Sequence, residues 1–337
     1  MRTIRTGRRT LVATDVLSSY WFVAAERQRI YHQRLLAEPP PWTHDAILSE
    51  YRFTNAYRAA DRVSQDLIRA QYDGSQVPED LLLRTIIYRF FNKPSTWQEI
   101  ERAIGHVAVD TFDVERVAGA LNGLLAQGLR IYSPAYIIPP PPFGAARKHL
   151  NHLRLAEHII STGGTSAIRS ALSLQGVFEV LSSYPSLGPF LAFQLAIDLN
   201  YSLLLDFDEN DFVVAGPGAR SGIAKCFVDT DGLGPEDIIR WAADHQDEEF
   251  ERYGLDFADL FGRSLTLIDC QNLFCETDKY ARVAHPEVSG VGQRTRIKQR
   301  FTRGASVPTP FFPPKWGLNE TVLSTVCTSA PLSGPSL

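Results

Sequence analysis

The densest set of chemically capable side chains lies in SLTLIDCQNLFCETDKYA, toward the C-terminal third of the chain. A helical period over Leu265–Ala281 puts Asn272, Glu276 and either Lys279 or Tyr280 on one stripe, with Gln271 and Cys275 beside it. Glu276 can serve as a general base toward an attacking amine, and Lys279 can neutralise a leaving phosphate. The competing assignment is a Glu276–Lys279 ion pair within the helix. Cys275 is a poor nucleophile candidate, because no histidine partner is evident.

Three further segments carry polar groups in patterns that suit an anionic ligand. In YRFTNAYRAADRVSQDL, a helix expected over about His44–Tyr72 places Asn55, Arg58 or Ala59, Arg62 and Asp66 on one face. Amides and guanidinium groups so arranged suit phosphates or base edges. A solvated face with internal pairs Arg58–Asp61 and Arg62–Asp66 is the alternative. In FDENDFVVAGPGARSGIAK, Gly216, Gly218 and Gly222 would let backbone approach a ligand, with Arg220 adding charge; a plain glycine turn accounts for the same residues. GQRTRIKQRFTRG packs Arg294, Arg296, Lys298, Arg300 and Arg303 into one window without an acid, the best candidate for a strip along a DNA backbone.

The element expected to position these groups is LSSYPSLGPFLAFQLAIDLNYSLLL. Pro185-Ser186-Leu187-Gly188 forms a sharp turn, and Pro189 suits the first helical position, where no amide donor is needed. Leu191–Leu205 is apolar nearly all round and reads as a buried helix, with Gln194 and Asp198 four apart on one face. Such a turn followed by a helix start leaves outward amides that can take a phosphate.

L-x-x-Y-P-S-L-G-x-x-x-A resembles the helix-hairpin-helix of DNA glycosylase-type folds, with Ser186 where that motif usually has its first glycine. Together with EYRFTNxYRxxDRV, RFFNKP, FxxAGPGARSGI and QNxFCETDKY, residues 47–316 resemble one family. It comprises the helical domain of 5-hydroxymethyldeoxyuridine (5-hmdU) DNA kinases and the related alpha-glutamyl/putrescinyl thymine pyrophosphorylases. The resemblance implies an all-α fold centred on the hairpin, with little or no sheet. It also implies hypermodification of thymine in DNA, by amine displacement of pyrophosphate from an activated hydroxymethyl group on a flipped base. Its implied partners are DNA carrying a modified base and an amine or amino-acid co-substrate. Under that reading Asn55, Arg58, Gln194, Asp198, Gln271 and Asn272 line the pocket with Gly216 and Gly218 nearby, and Arg62, Arg220 and Lys279 offset pyrophosphate charge. Arg294 and Arg296 would hold the backbone.

No GxxxxGK[ST] loop occurs in the chain, which disfavours kinase activity. Two other functions are in view. A glycosylase would use Asp208 or Asp211 after the hairpin helix to stabilise a cationic sugar, although the acid-Thr-His-Val pattern is absent. A noncatalytic DNA-binding or scaffold module would keep the fold without the chemistry.

The 337 residues carry 44% hydrophobic and 21% charged side chains and a net charge of −4. That is the composition of a globular protein rather than one that coats nucleic acid nonspecifically. No apolar run suits a membrane span, and four cysteines without CxxC spacing argue against zinc or a disulfide framework. An intracellular location, nucleus or cytoplasm, is expected. No cofactor is indicated; a divalent metal is compatible with the chemistry, but no spacing points to one. Lys148, His149, His152 and His158 read as a solvated polar face, as does the acidic run expected to form one helix over Pro235–Tyr253. The expected organisation is a flexible basic N-terminus (1–13), an N-terminal helical layer (14–137), a proline-rich connector (138–146), a hairpin-centred core (147–316) ending near Trp316, and a disordered tail (317–337).

Overall fold

The computed structural model describes residues 1–134, 138–292, 294–304 and 307–329. Strands β1 (Arg2–Thr6) and β2 (Arg9–Ala13) precede helices α1 (Val16–Leu35) and α2 (Ala46–Glu50). A 3-10 turn at Arg58–Ala60 leads to α3 (Arg62–Tyr72), α4 (Pro78–Phe91), α5 (Pro94–Ile104) and α6 (Val114–Ala126). Then come α7 (Lys148–Ser161), α8 (Gly164–Arg169), α9 (Leu174–Ser182), α10 (Pro189–Tyr201) and α11 (Pro217–Cys226). The chain closes with β3 (Phe227–Asp229), α12 (Pro235–Asp244), α13 (Gln246–Arg252), α14 (Leu267–Ala284) and α15 (Asn319–Ser329). The fold is all-α apart from one small antiparallel sheet of order β1-β2-β3.

The chain forms two compact units: Met1–Asp61 with Ala215–Leu337, and Arg62–Val214. The expected boundary at 138–146 is therefore displaced, because those prolines run inside the second unit. Part of the YSPAYIIPPPPFG connector, residues 135–137, lies outside the described residues, as do residues 330–337 of the expected tail.

In the second unit α9 and α10 pack against one another across the Pro185–Gly188 turn. Ser173 caps α9 by accepting from the Gly176 amide at 3.1 Å, and Pro189 opens α10 behind an extended Gly188. Ser186 holds a φ of +66°, a left-handed conformation that a side chain strains and glycine tolerates, which explains why a glycine is favoured at that position. Along α10, residues 192–201 are all buried. Asp198 is completely buried and makes a two-pronged ion pair with Arg89 of α4, one bond being Nη2 to Oδ1 at 2.6 Å. Arg89 also donates to Asn92 Oδ1 (2.8 Å), and Gln71 Nε2 donates to the Asp198 carbonyl (2.8 Å). Gln194 is equally buried. Both are core residues of this unit, a correction to their expected place in a substrate pocket.

The first unit is built on α14. It packs against α11, α1, α12 and α2, and its Phe274 ring lies 4.3 Å from Tyr20 of α1. The closest approach is between α11 and α14: a Cβ at Gly218 would overlap Cys275 Sγ, and one at Gly222 would fall on the Phe274 carbonyl. The glycines expected to approach a ligand approach a neighbouring helix instead. Gly216 is the residue that precedes α11.

Four other expectations change in this unit. Residues 1–13 are ordered as a hairpin, in which Gly7 supplies the positive φ of a two-residue loop and Ile4, Leu11 and Ala13 face the core. Arg2 pairs through both terminal nitrogens with Glu249 at 2.5 Å, so that carboxylate of the acidic run is buried rather than solvated. The run itself breaks at His245 into α12 and α13. The helix expected over His44–Tyr72 exists only at its ends, and residues 51–61 are irregular apart from the 3-10 turn. Residues 319–329 are helical rather than disordered. Trp316 stacks on buried Phe312 and takes the Arg263 guanidinium over its ring at 3.8 Å.

Gly222→Ala is expected to destabilise the protein by about 3 kcal/mol or more, because the methyl meets backbone rather than a movable side chain. Gly123→Ala, at an exposed helical position with open space around it, should stabilise by about 0.5–1 kcal/mol. Urea unfolding of the two variants tests the contrast.

Candidate functional site

Asp269, in the first turn of α14, shapes the segment that carries Asn55. Its Oδ2 accepts from the Thr266 amide (3.1 Å) and completes a capping box; its Oδ1 accepts from the Arg58 amide (2.7 Å) and holds the 3-10 turn. Two turns further along the helix, Glu276 Oε2 accepts from the Thr54 amide at 3.0 Å and from Lys279 Nζ at 2.9 Å. The Lys279 ammonium also lies 4.3 Å from the Phe53 ring centroid. The helical pair weighed for Glu276 and Lys279 therefore forms, and it doubles as the clamp on residues 53–54.

Asn55 closes the loop upon itself. Its side chain accepts from Arg27 Nη2 (3.0 Å) and donates to the Ala60 carbonyl (2.8 Å), while its amide donates to Asp61 Oδ1 (2.9 Å). Arg27 Nε donates to the Thr54 carbonyl at 2.9 Å. Asn55 is thus a loop-shaping residue, not a free reader of base edges. The expected stripe of Asn55, Arg58 and Arg62 does not form, because no continuous α-helix runs through residues 55–61. Arg58 is buried at 2% exposure, and Arg62 opens α3 in the second unit.

Asp61 is the residue that sequence reasoning passed over except as an ion-pair partner. Burial pushes its carboxyl up to about 7, and the neighbouring Glu276 charge adds to the rise. The Asn55 amide, Arg27 and Arg58 pull the other way. The Asp61 carboxyl thus feels the charges of Glu276, Arg27 and Arg58, and it exchanges its proton near neutrality. A group tuned to that range can both accept and return a proton. The clue available in the sequence was an acid directly after two small residues in RAADR, where the chain can fold its carboxyl inward.

The remaining first-unit candidates are gathered along α14 or beside it. Gln271 is buried; its Oε1 accepts from the Gly216 amide (3.2 Å) and its Nε2 donates to Asn272 Oδ1 (2.7 Å). Arg220 donates to the Ala215 carbonyl (3.0 Å) and pairs with Glu236 at 2.8 Å. Burial pushes the Cys275 thiol up to about 12, which removes it as a nucleophile near neutral pH. Asp211 is exposed on the loop after α10 in the second unit, its amide donating to the Asp208 carbonyl at 3.2 Å.

The basic window continues the same edge of the first unit. The Arg52 amide donates to the Gln299 carbonyl (3.0 Å) and the Phe301 amide to the Glu50 carbonyl (2.9 Å), so residues 299–301 run alongside residues 50–52. Ile297 packs on the apolar cluster that contains Phe53 and Tyr280. Arg294, Arg296 and Lys298 are exposed, whereas Arg300 pairs with Glu50 and Arg303 covers Trp42. Gln293, within this window, lies outside the described residues.

Among the described residues no group of three or more His, Cys, Asp or Glu is placed to hold a metal ion, and no helix is long and apolar enough to cross a membrane. His149 and His152, expected on a solvated face, are buried; burial brings the His152 imidazole down to about 4.

A mostly helical chain is what the comparison with protein families identifies. The chain belongs to the family described as 5-hmdU DNA kinase, helical domain, whose model matches residues 14–290. The match starts earlier than the expected residue 47 and ends before the basic window. A relative is the 5-hmdU DNA kinase of Bacillus phage SP10, 29% identical over 284 residues, which are 77% of this chain and 44% of that protein. The chain therefore spans less than half the length of this relative. No solved structure matches.

The raised Asp61 carboxyl has a consequence for stability. The folded state holds that proton more tightly than the unfolded state, so its contribution is fully present below about pH 4 and is lost as pH rises through about 7. Asp61→Asn, which keeps the oxygen that accepts from Asn55, should flatten this slope. It should also stabilise the protein at pH 8 by on the order of 2 kcal/mol, as read from urea unfolding across the pH range.

Proposed function

We propose that this chain acts on DNA bearing a base derived from 5-hydroxymethyluracil, joining an amine to that base with release of pyrophosphate. The observation that carries the reading is the buried Asp61 carboxyl, held by the Asn55 amide and within the electrostatic reach of Glu276, Arg27 and Arg58, in a chain of the 5-hmdU DNA kinase helical-domain family. Asp61, rather than Glu276, is the better general base, because its carboxyl exchanges a proton near neutral pH while Glu276 is engaged with Lys279 and the Thr54 amide.

In this reaction an ammonium co-substrate gives one proton to Asp61. Its nitrogen then attacks the exocyclic methylene carbon of the base, and the bond from that carbon to the pyrophosphate oxygen breaks. The departing pyrophosphate carries the electron pair away. Lys279, with donors beyond the one given to Glu276, supplies positive charge to it. The target base would be extruded from the duplex, since a stacked base shields its methylene group. Arg294, Arg296 and Lys298 would hold the flanking phosphates.

A second reading is a DNA-holding module without chemistry. It is favoured by the internal bonds that occupy Asn55, Gln271 and Asn272, which leave few groups directed at a base edge. The experiment that separates the readings incubates the protein with DNA containing 5-hydroxymethyluracil or its pyrophosphorylated form, supplies an amine, and analyses nucleosides by mass spectrometry. Amine adducts are expected. Abasic sites would replace the reading with a glycosylase, and neither product with DNA still bound would leave the module.

If adducts form, Asp61→Asn should lower their rate by roughly 10²–10⁴-fold and remove a limb near pH 7 from the pH–rate profile. Independently, converting Arg294, Arg296 and Lys298 together to Ala should flatten the plot of log affinity against log salt for duplex DNA by about 2–3, as measured by fluorescence anisotropy.

A further inference from the structure

The second unit carries a groove of about 440 Å³ that the chemistry above does not use. That volume falls within the rough 300–1,000 Å³ range of small-molecule sites. Leu125 and Ile131 give it an apolar wall, and Arg130, Arg147 and Lys148 give it positive charge, with no carboxylate among its lining residues. The Lys148 ammonium sits 4.6 Å from the Tyr132 ring centroid, and that ring is fixed by a 2.9 Å bond from its hydroxyl to His152 Nδ1.

Two independent features point to a ligand, and the first of them to an anion. First, α7 starts at the groove, and its first turn has no side-chain cap, so the positive end of a 14-residue helix adds to the local charge. Second, His149 lines the groove at only 3% exposure, and its Nε2 has no hydrogen-bond partner. A buried nitrogen without a partner is costly and calls for a ligand atom to satisfy it. The Arg130 guanidinium is exposed at the rim, where it can cover a flat ligand body or take a phosphate oxygen in a forked bond.

We propose that this groove binds a nucleoside phosphate, with the phosphate at the start of α7 and the body of the nucleoside along Leu125 and Ile131. The site lies wholly within Arg62–Val214 and stands or falls apart from the Asp61 chemistry.

The test is calorimetric titration of the full chain with thymidine 5′-monophosphate, with thymidine, and with a short single-stranded thymidine oligonucleotide. The monophosphate is expected to bind at least tenfold more tightly than thymidine. Arg130→Ala should weaken it about tenfold, and so should the paired change Arg147→Ala with Lys148→Ala. Arg130 is exposed, and among the described residues its side chain makes no hydrogen bond or ion pair, so its variant keeps the test interpretable if the paired change unfolds. Equal affinity for monophosphate and oligonucleotide identifies a free nucleotide as the occupant; an oligonucleotide at least tenfold tighter, with the same dependence on Arg130, identifies a strand. Monophosphate binding no tighter than thymidine, or indifferent to Arg130→Ala, overturns the proposal.

Discussion

Two glycines let one helix lie directly on another, and the first unit is arranged around that contact. At Gly218 and Gly222 the backbone of α11 meets Cys275 and Phe274 of α14 with no room for a side chain. Close approach of this kind maximises dispersion contact along both helices, and it makes the spacing intolerant of added volume. Once α14 is held in this way, its polar residues have assigned partners. Asp269 holds the Arg58 amide, Glu276 holds the Thr54 amide, and Asp278 pairs with Lys225 of α11 at 3.1 Å while accepting from Ser221 at 2.8 Å. Carboxylates from one helix thereby impose a conformation on a segment more than two hundred residues away in the chain.

That imposed conformation creates the chemistry. Residues 53–61 would be solvated and unremarkable as a free loop. Pinned at Thr54 and Arg58 and folded back through Asn55, they bring Asp61 within reach of the Glu276 charge in a desolvated setting. Two like charges and burial both favour keeping a proton on one of them, and the nearby Arg27 and Arg58 limit how far that preference runs. The outcome is a carboxyl poised near neutrality. The same edge of the unit carries the exposed part of the basic window, so an overall charge of −4 coexists with a local positive strip.

The second unit solves a different problem. Its hairpin helix α10 is buried all round, yet carries an acid at its centre. The cost of desolvating Asp198 is offset by the forked Arg89 guanidinium, which is itself held by Asn92, while Gln71 satisfies the Asp198 backbone carbonyl. An exposed stripe and a buried ion pair look alike in a helical wheel. What separates them is whether the facing helix presents a matching cation, as α4 does with Arg89.

Much of the helical framework was legible in the chain. Proline at a first helical position and 3.6-residue periods marked α10 and α14 to within a few residues, and spaced motifs identified the family. The N-terminal hairpin was missed because its basic composition drew attention away from the alternation of Ile4, Leu11 and Ala13 around T-G-R-R. The break at residues 51–61 was missed because helical periodicity persists in YRFTNAYRAADRV while long-range bonds from Asp269 and Glu276 override it. The amino-acid order by itself determined where α10 and α14 run, that α10 buries its full surface and that a tight turn precedes it, since those follow from local sterics and the period of apolar residues. Only the tertiary structure decided that the glycines serve helix packing, that Asp198 belongs to a core ion pair and that Asp61 is the titrating acid. Burial, dielectric surroundings and the identity of a facing side chain are properties of the assembled unit, and no local pattern contains them.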